Sequence, residues 1–474
     1  MIKAGIMYIL CKIWNESDLL DKLRDMLLMF TCENYRSFKV AATLDVQQRS
    51  FTTMRPKDDD WEGATLRTAA LFGPNASGKS NILRPFTLLQ HAVDHSIKDD
   101  SAVRALRDPH RLKRDEATSF TSEFVTNGIR FQWYIKLGDN GIIEESLHAS
   151  ETNRWRKIFE RSGTDISFGA HADISRAARE NIAEYATLWS LTLSAWKVVK
   201  NPGRYFAAAA WWSNDIHYIH PNERQRHTRH ASLVELTSKH KSWLKLGTAA
   251  LTLADVGISS VSINEVEAPA HIKQFLTKLN SLLADEMSQL DEEDSEYLTE
   301  ADLDYISQHL EFTHNSSDGT FTLDEDDESL GTMMWFDLLV PAVYRLVVGG
   351  LLVVDEIDSS LHPVLLRELI LLFKDPATNK SGAQLIFTTH DVTLLGNDLT
   401  PTITPDEAWL VEKYDSYSEL IPWDIYSIRK NHNVEKRYLQ GAFGALPQPN
   451  RRRIESAIDT LAQEYIEFLE NTEN

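Results

Sequence analysis

The chain has 474 residues, 42% hydrophobic and 25% charged, with a formal net charge of −21, the composition of a globular protein large enough for two domains or lobes. The acidic balance argues against nucleic-acid binding by the whole surface but leaves room for a local basic groove. The longest apolar run, near 346–354, is too short to span a bilayer, no signal peptide is evident, and two cysteines, Cys11 and Cys32, make neither a disulfide framework nor a zinc set, so a cytoplasmic protein without a membrane partner is expected.

In chain order, residues 1–28 read as a detachable extension, with Met26 and Met29 as alternative translation starts. The stretch MLLMFTCENYRSFKVAATLDV that follows reads as strand, turn, strand. Next comes LFGPNASGKSNIL, 71–83, whose spacing Gly73-x4-Gly78-Lys79-Ser80 is that of a phosphate-binding loop. Small residues let consecutive backbone N–H groups turn inward into an anion site, and the helix starting near Ser80 adds its positive dipole end. Gly73, Pro74, Asn75, Ala76, Ser77, Gly78, Lys79, Ser80 and Asn81 are therefore the expected nucleotide-binding set. Lys79 would reach the β- and γ-phosphates of ATP, and the Ser80 hydroxyl would sit on Mg²⁺. A chance match in a glycine-containing turn is the plainer alternative. Context weighs against it, since TAALF before the loop reads as a buried strand and NILRPFTLLQHAV after it as an amphipathic helix.

Basic clusters occur at 107–114 (RDPHRLKR), 224–230 (RQRHTRH) and 451–453 (RRR), each with the pattern of a solvated loop or helix end. From 165 to 310 there are scattered tryptophans, including Trp189, Trp196, Trp211 and Trp212, without sustained heptads, which reads as a compact, mainly helical lobe. Within it, the stretch from KQFLTKL to SQHLEF reads as helix, acidic loop, helix.

Ser329 is a good N-cap for the helical pattern that follows, and Ser329, Gly331 and Thr332 at that helix start would make a second anion site, though on this fragment alone a simple capped core helix is the plainer reading. After it, 347–354 is the β-branched and leucine-rich run of a central parallel strand. It ends in Asp355 and Glu356, where α/β proteins place ligands. Asp355 would bind Mg²⁺ through water, and Glu356 would orient or deprotonate the attacking water. A further buried strand at 385–387 ends near His390, a candidate γ-phosphate contact.

Together these pieces resemble the ABC-type ATPase heads of SMC, RecF and OLD-like proteins, of the AAA family found in bacterial anti-phage loci. GPNASGKSN resembles their Walker A motif, LLVVDEID their Walker B, ESLGT a degenerate signature motif, SSLHP their D-loop and TTHD their switch histidine. CENYRSFKV resembles their first strand and EKRYLQGAFGALP, 435–447, a closing segment in which Ala442 stands where arginine is frequent. The resemblance implies an α/β fold: an ABC-ATPase head with a mostly parallel central sheet. Its halves would be 29–164 and 311–449, the lobe at 165–310 would be inserted between them, and a helix at 450–474 would follow. It further implies ATP and Mg²⁺, catalysis by Lys79, Glu356 and His390, and a homodimer or higher oligomer. In that dimer Ser329 and Gly331 of one subunit complete the site of another. A sensor or regulatory subunit working with a separate effector, a nuclease, is the implied role. Gln90, Gln132 and Glu145 are open candidates for the Q-loop residue.

Two rival readings remain: a repair-type ATPase acting directly on nucleic acid, and a self-contained nuclease. For the latter, Asp302-x-Asp304 lacks strand context, and the Arg224-x5-His230 spacing recurs at Arg104-x5-His110. In the tail, Ile454, Ile458, Leu461, Tyr465 and Leu469 fall near one helical face, a stripe that could dock on its own head, the favoured reading, or on a partner.

Overall fold

Strand β1 (Met26–Glu33) is buried at its first three residues, alternates inward and outward from Leu28 on, and pairs antiparallel with β2 (Ala42–Asp45). Strand β3 (Thr68–Phe72) is buried at all positions, the pattern of a strand covered on both faces, and leads into helix α1 (Lys79–His95). The computed structural model describes residues 25–170, 172–199, 203–220, 248–249, 251, 257–265, 308–359, 361–396, 402–426, 434–444 and 451–472.

A meander follows: β4 (Thr118–Thr126), β5 (Ile129–Gly138), β6 (Gly141–Ser150), β7 (Arg156–Ser162) and β8 (Asp165–Phe168). With β1 and β2 it makes a seven-stranded antiparallel sheet in the order β2-β1-β4-β5-β6-β7-β8. The β4–β5 hairpin turns on Asn127-Gly128, both at positive φ (50° and 71°), a two-residue turn whose twist suits the flanking strands.

Helices α2 (Arg176–Glu184) and α3 (Gly203–Asn214) lead to strand β9 (Ile216–Ile219). Strands β10 (Ile258–Glu265), β11 (Gln308–Ser316) and β12 (Gly319–Asp324) form a small antiparallel sheet. Then come α4 (Leu330–Val348), β13 (Leu351–Val354), α5 (Pro363–Lys374), β14 (Gln384–Thr389), β15 (Ala408–Tyr414), β16 (Tyr417–Pro422), α6 (Val434–Leu439) and α7 (Arg451–Thr472).

The third sheet runs β16-β15-β3-β14-β13-β9, parallel at every pairing except β15–β16. Its strands divide the core by simple alternation. Ala69, Leu71, Leu351, Val353 and Ile386 face one cluster with α1, α3 and the antiparallel sheet. Ala70, Phe72, Leu352, Val354, Leu385 and Phe387 face a second cluster with α4 and α5. Each such leucine, isoleucine, valine or phenylalanine, fully buried, stabilises the fold by roughly 1.5–3 kcal/mol. Within the first cluster Trp211 stacks on Phe124 at 4.4 Å, and Trp212 lies 5.1 Å from Trp133. The α3 tryptophans therefore pack α3 against the antiparallel sheet, and Trp212 also stacks on Phe86 of α1.

Several expectations change. The fold is α/β, but the mostly parallel sheet is only one of two large sheets, the other being wholly antiparallel. The extension drawn at 1–28 cuts into β1, where Met26, Leu27 and Leu28 are buried; residues before 25 lie outside the described set. The lobe drawn at 165–310 begins too early, because β9 is hydrogen-bonded to β13 in the parallel sheet. The second helix of the acidic stretch cannot reach SQHLEF, since β11 starts at Gln308; Asp302, Asp304, Arg224 and His230 lie outside the described residues. The run at 347–354 is not one strand: α4 extends to Val348 and Gly349-Gly350 turns the chain into β13. Helix α4 has the length and composition to cross a bilayer, but 61% of its apolar window is buried inside the protein, as for a core helix. The stripe on α7 does not dock on the head: Ile454, Ile458, Leu461 and Tyr465 are all exposed, and the Leu469 side chain lies outside the described set.

Candidate functional site

Because β3, β14, β13 and β9 are parallel neighbours, their carboxyl ends open on one edge of the sheet. The loop after β3 is held open by its neighbours. Gly78 caps α1 at φ 107°, and a Cβ there would collide with the hydroxyls of Ser37 and Ser418, so only glycine fits. The Ser418 hydroxyl donates to the Ser77 carbonyl, and the Ser418 amide donates to Ser37 at 2.7 Å. Asn81 donates to the Ser37 hydroxyl at 2.8 Å and accepts from Arg36 at 3.2 Å. Asn75 and Ala76 are exposed at the loop tip, with Ala76 at φ 61°. Gly73 and Ser77 are buried, while Pro74 and Ser80 are half-buried.

Lys79 is 6% exposed, and its Nζ donates back to the carbonyls of Gly73 at 2.8 Å and Pro74 at 3.2 Å. Burial pulls its pKa down to about 8, against the opposing pull of the Glu356, Asp355 and Asp358 carboxylates. A buried ammonium with only two carbonyl partners and three carboxylates in reach is a charge waiting for an anion.

At the end of β13, Asp355 is 1% exposed. Its Oδ1 accepts from the Thr388 hydroxyl at 2.6 Å, and that same hydroxyl oxygen accepts the Glu356 amide at 2.6 Å. Among the described residues Asp355 Oδ2 accepts no hydrogen bond; His220 Nε2, at the end of β9, lies 3.5 Å from it. Glu356 is exposed and held at φ 50°, a left-handed conformation that a glutamate rarely adopts, which aims its carboxylate out of the strand end. His390, at the tip of β14, is exposed and anchored through its amide to Asp358 at 3.0 Å. Protein packed around its ring lowers its basicity, and the Lys79 charge lowers it further.

Among the described residues no three His, Cys, Asp or Glu side chains converge on one point. Mg²⁺, which keeps most of its water and takes one or two protein ligands beside phosphate, suits a buried carboxylate with one oxygen unsatisfied. Asp355 and Ser80 are the residues that fit it.

The second expected anion site lies at the start of α4. Ser329 caps that helix, its Oγ accepting the Thr332 amide at 3.1 Å. Ser329 is exposed, Gly331 half-buried, and neither hydrogen-bonds to the Lys79 loop among the described residues. The three Q-loop candidates are committed elsewhere. Gln90 braces the carbonyls of Ser213 and Ile216, Gln132 holds Glu123, and Glu145 is buried against Trp133, Thr192 and Arg161. Sequence reasoning passed over Thr388, which couples Asp355 to Glu356, and His220, which faces Asp355. A Thr-Thr pair ending a buried strand was the available signal for the first.

A sequence model of the family described as "AAA domain, putative AbiEii toxin, Type IV TA system" matches residues 69–396. No curated protein matches the chain. Among solved structures it is similar to the SMC head domain from Thermotoga maritima, at 11% identity and a TM-score of 0.39, covering 84% of this chain and 99% of that one. It is also similar to an SMC head bound to the C-terminal winged-helix domain of ScpA, at 11% identity and 0.40, covering 87% and 99%. A head with an extended coiled coil bound to the ScpA C-terminal domain, from Pyrococcus furiosus, scores 0.33 at 11% identity, covering 88% and 99%.

Proposed function

The chain belongs to the AAA-domain family whose model spans 69–396, and from that premise we propose that it binds and hydrolyses ATP as the sensor or regulatory subunit of an anti-phage system. One observation carries the ATPase reading: Lys79, Asp355, Glu356 and His390 converge at the carboxyl ends of three adjacent parallel strands, within electrostatic reach of one another.

In this reading the loop amides of 73–81 wrap the phosphates, and Lys79 exchanges its bonds to the Gly73 and Pro74 carbonyls for phosphate oxygens. Ser80 and Asp355 would hold Mg²⁺, which when bound would supply positive charge against that of the phosphates. Thr388 orients Asp355 and holds the Glu356 backbone in place; Glu356 takes a proton from the attacking water, and His390 steadies the γ-phosphate. The exposed Ser329 and half-buried Gly331 would reach the nucleotide of a second copy, making closure of a homodimer, or of a higher multiple, the nucleotide-dependent switch. Its output would be a separate effector, a nuclease, in the cytoplasm; the family description, which speaks of a toxin system, supports a two-component arrangement.

Phosphate release by the purified chain tests the reading. Wild type should turn over ATP, while Lys79→Ala and Glu356→Gln should not. Equal rates in all three would sink it.

A further inference from the structure

Beyond the short helix Asp100–Arg104, the chain forms the wall of a groove lined by Arg104, Arg107, Arg111, Arg114 and Trp189, about 800 Å³ including its open mouth. In a chain of net charge −21, four guanidiniums on one concave surface are out of character. Three carboxylates beside them are committed, Asp108 to Arg36 at 2.9 Å, Asp139 to Arg107 at 2.5 Å and Asp100 to Arg104 at 3.7 Å, so Arg111 and Arg114 carry the groove's uncompensated charge. Arg107 also donates to the Glu116 and Arg114 carbonyls, at 3.1 and 2.8 Å, so it braces the loop. Arg104 lies 3.8 Å over the Trp189 ring and remains exposed. Arg111 and Arg114 are exposed and make no ion pair among the described residues.

A loop that merely solvates its charges needs no rigid frame, yet this one has two. Asn34 donates to the carbonyls of Lys113, Glu116 and Ala117 at 3.0, 3.0 and 3.2 Å. Buried His110 donates from Nε2 to the Ser416 carbonyl at 3.0 Å, while its amide donates to Asn34 at 3.1 Å. Both frames continue into the ATP loop. Arg36 joins Asp108 to Asn81, and the turn holding Ser416 leads to Ser418, whose hydroxyl holds the Ser77 carbonyl.

We propose that this groove binds the phosphate backbone of a nucleic acid, and that its occupancy is felt at the ATP loop through Arg36 and the Ser416–Ser418 turn. Guanidiniums in a fixed array suit successive phosphates, and an indole among them suits an unpaired base. The inference names the class of trigger for the proposed ATPase and rests on that reading only for the coupling, not for the binding.

The test is fluorescence anisotropy of a labelled single strand of about 20 nucleotides, titrated with the full chain over roughly 50 to 200 mM salt. Arg111→Glu with Arg114→Glu, both exposed and outside the ATP site, should weaken binding at least about tenfold and lower the log–log salt slope by roughly 1–2. Reversing Arg451 and Arg452 on α7 should change neither. Lys79→Ala should bind the strand normally, so failure of the ATPase reading would leave this result intact. The proposal is overturned if the wild-type chain does not bind the strand, if the loop variant binds as well as wild type, or if polyglutamate of equal charge competes as effectively as unlabelled strand.

Discussion

Thr388 and Asp355 meet across two adjacent parallel strands, the threonine hydroxyl donating to Oδ1 at 2.6 Å while its oxygen accepts the Glu356 amide at 2.6 Å. One hydroxyl therefore sets both acidic groups of the site. Thr388→Val keeps shape and strand propensity but leaves a buried carboxylate oxygen and a backbone amide without partners. It should cost roughly 1–3 kcal/mol of stability and lower kcat on the order of ten- to a hundredfold, with ATP affinity nearly unchanged. Denaturant unfolding and steady-state phosphate release check the two halves; an unchanged kcat would mean Thr388 holds only the strand end.

Thr388 also shows where the sequence was legible and where it was not. The loop 73–81, Asp355, Glu356 and His390 could be read because each combines a residue type with a strand-end context within a few positions. Thr388 lies in the same readable strand, but a threonine in a strand carries no chemical label until its partner is known. Strand β9 was harder. IHYI is four residues long, and its partner β13 comes far later in the chain, so nothing local marks His220 as facing Asp355. The antiparallel sheet is a different kind of omission, because its signal was present: Asn127-Gly128 between two alternating apolar runs is a hairpin marker. The tail helix was read correctly as amphipathic, but amphipathicity names no partner, and the stripe is exposed.

Gly78 and Gly257 separate two effects of a left-handed backbone. At Gly78, φ 107°, a Cβ also meets the Ser37 and Ser418 side chains; at Gly257, φ 75°, it meets nothing within 4 Å. Gly257→Ala should cost only the conformational strain, about 1–2 kcal/mol. Gly78→Ala should cost about 1–3 kcal/mol and abolish ATP binding, because the loop must shift to admit the methyl group. Calorimetric unfolding with nucleotide titration distinguishes them, and retained ATP binding by Gly78→Ala would contradict the loop geometry.

Lys79 predicts a pH dependence with a definite sign. Its pKa is lowered from an ordinary 10.5 to about 8, so between those values the folded chain holds fewer protons than the unfolded one. By linkage this group makes stability rise with pH across that window, its penalty being fully present below about 8. Phosphate favours the charged ammonium, so ATP affinity should fall as pH rises above about 8, with proton uptake on binding. Titration calorimetry at pH 8.5 in buffers of different ionisation enthalpy measures that uptake directly. Zero uptake would mean that the ammonium is fully charged before ATP arrives.

Ser329 tests the composite site without touching the Lys79 loop. It is exposed, and among the described residues its side chain caps α4 through Thr332. Ser329→Arg should lower stability by about 1 kcal/mol through the lost cap. ATP binding to the isolated chain should survive, while turnover is abolished. Turnover at the wild-type rate would remove Ser329 from the mechanism.

The most direct measurement is mass photometry of Glu356→Gln with and without ATP and Mg²⁺. The account predicts that ATP binds, is not hydrolysed and doubles the particle mass, trapping the closed dimer. A mass that stays the same under saturating ATP, with binding shown independently, would contradict the claim that two copies share the site.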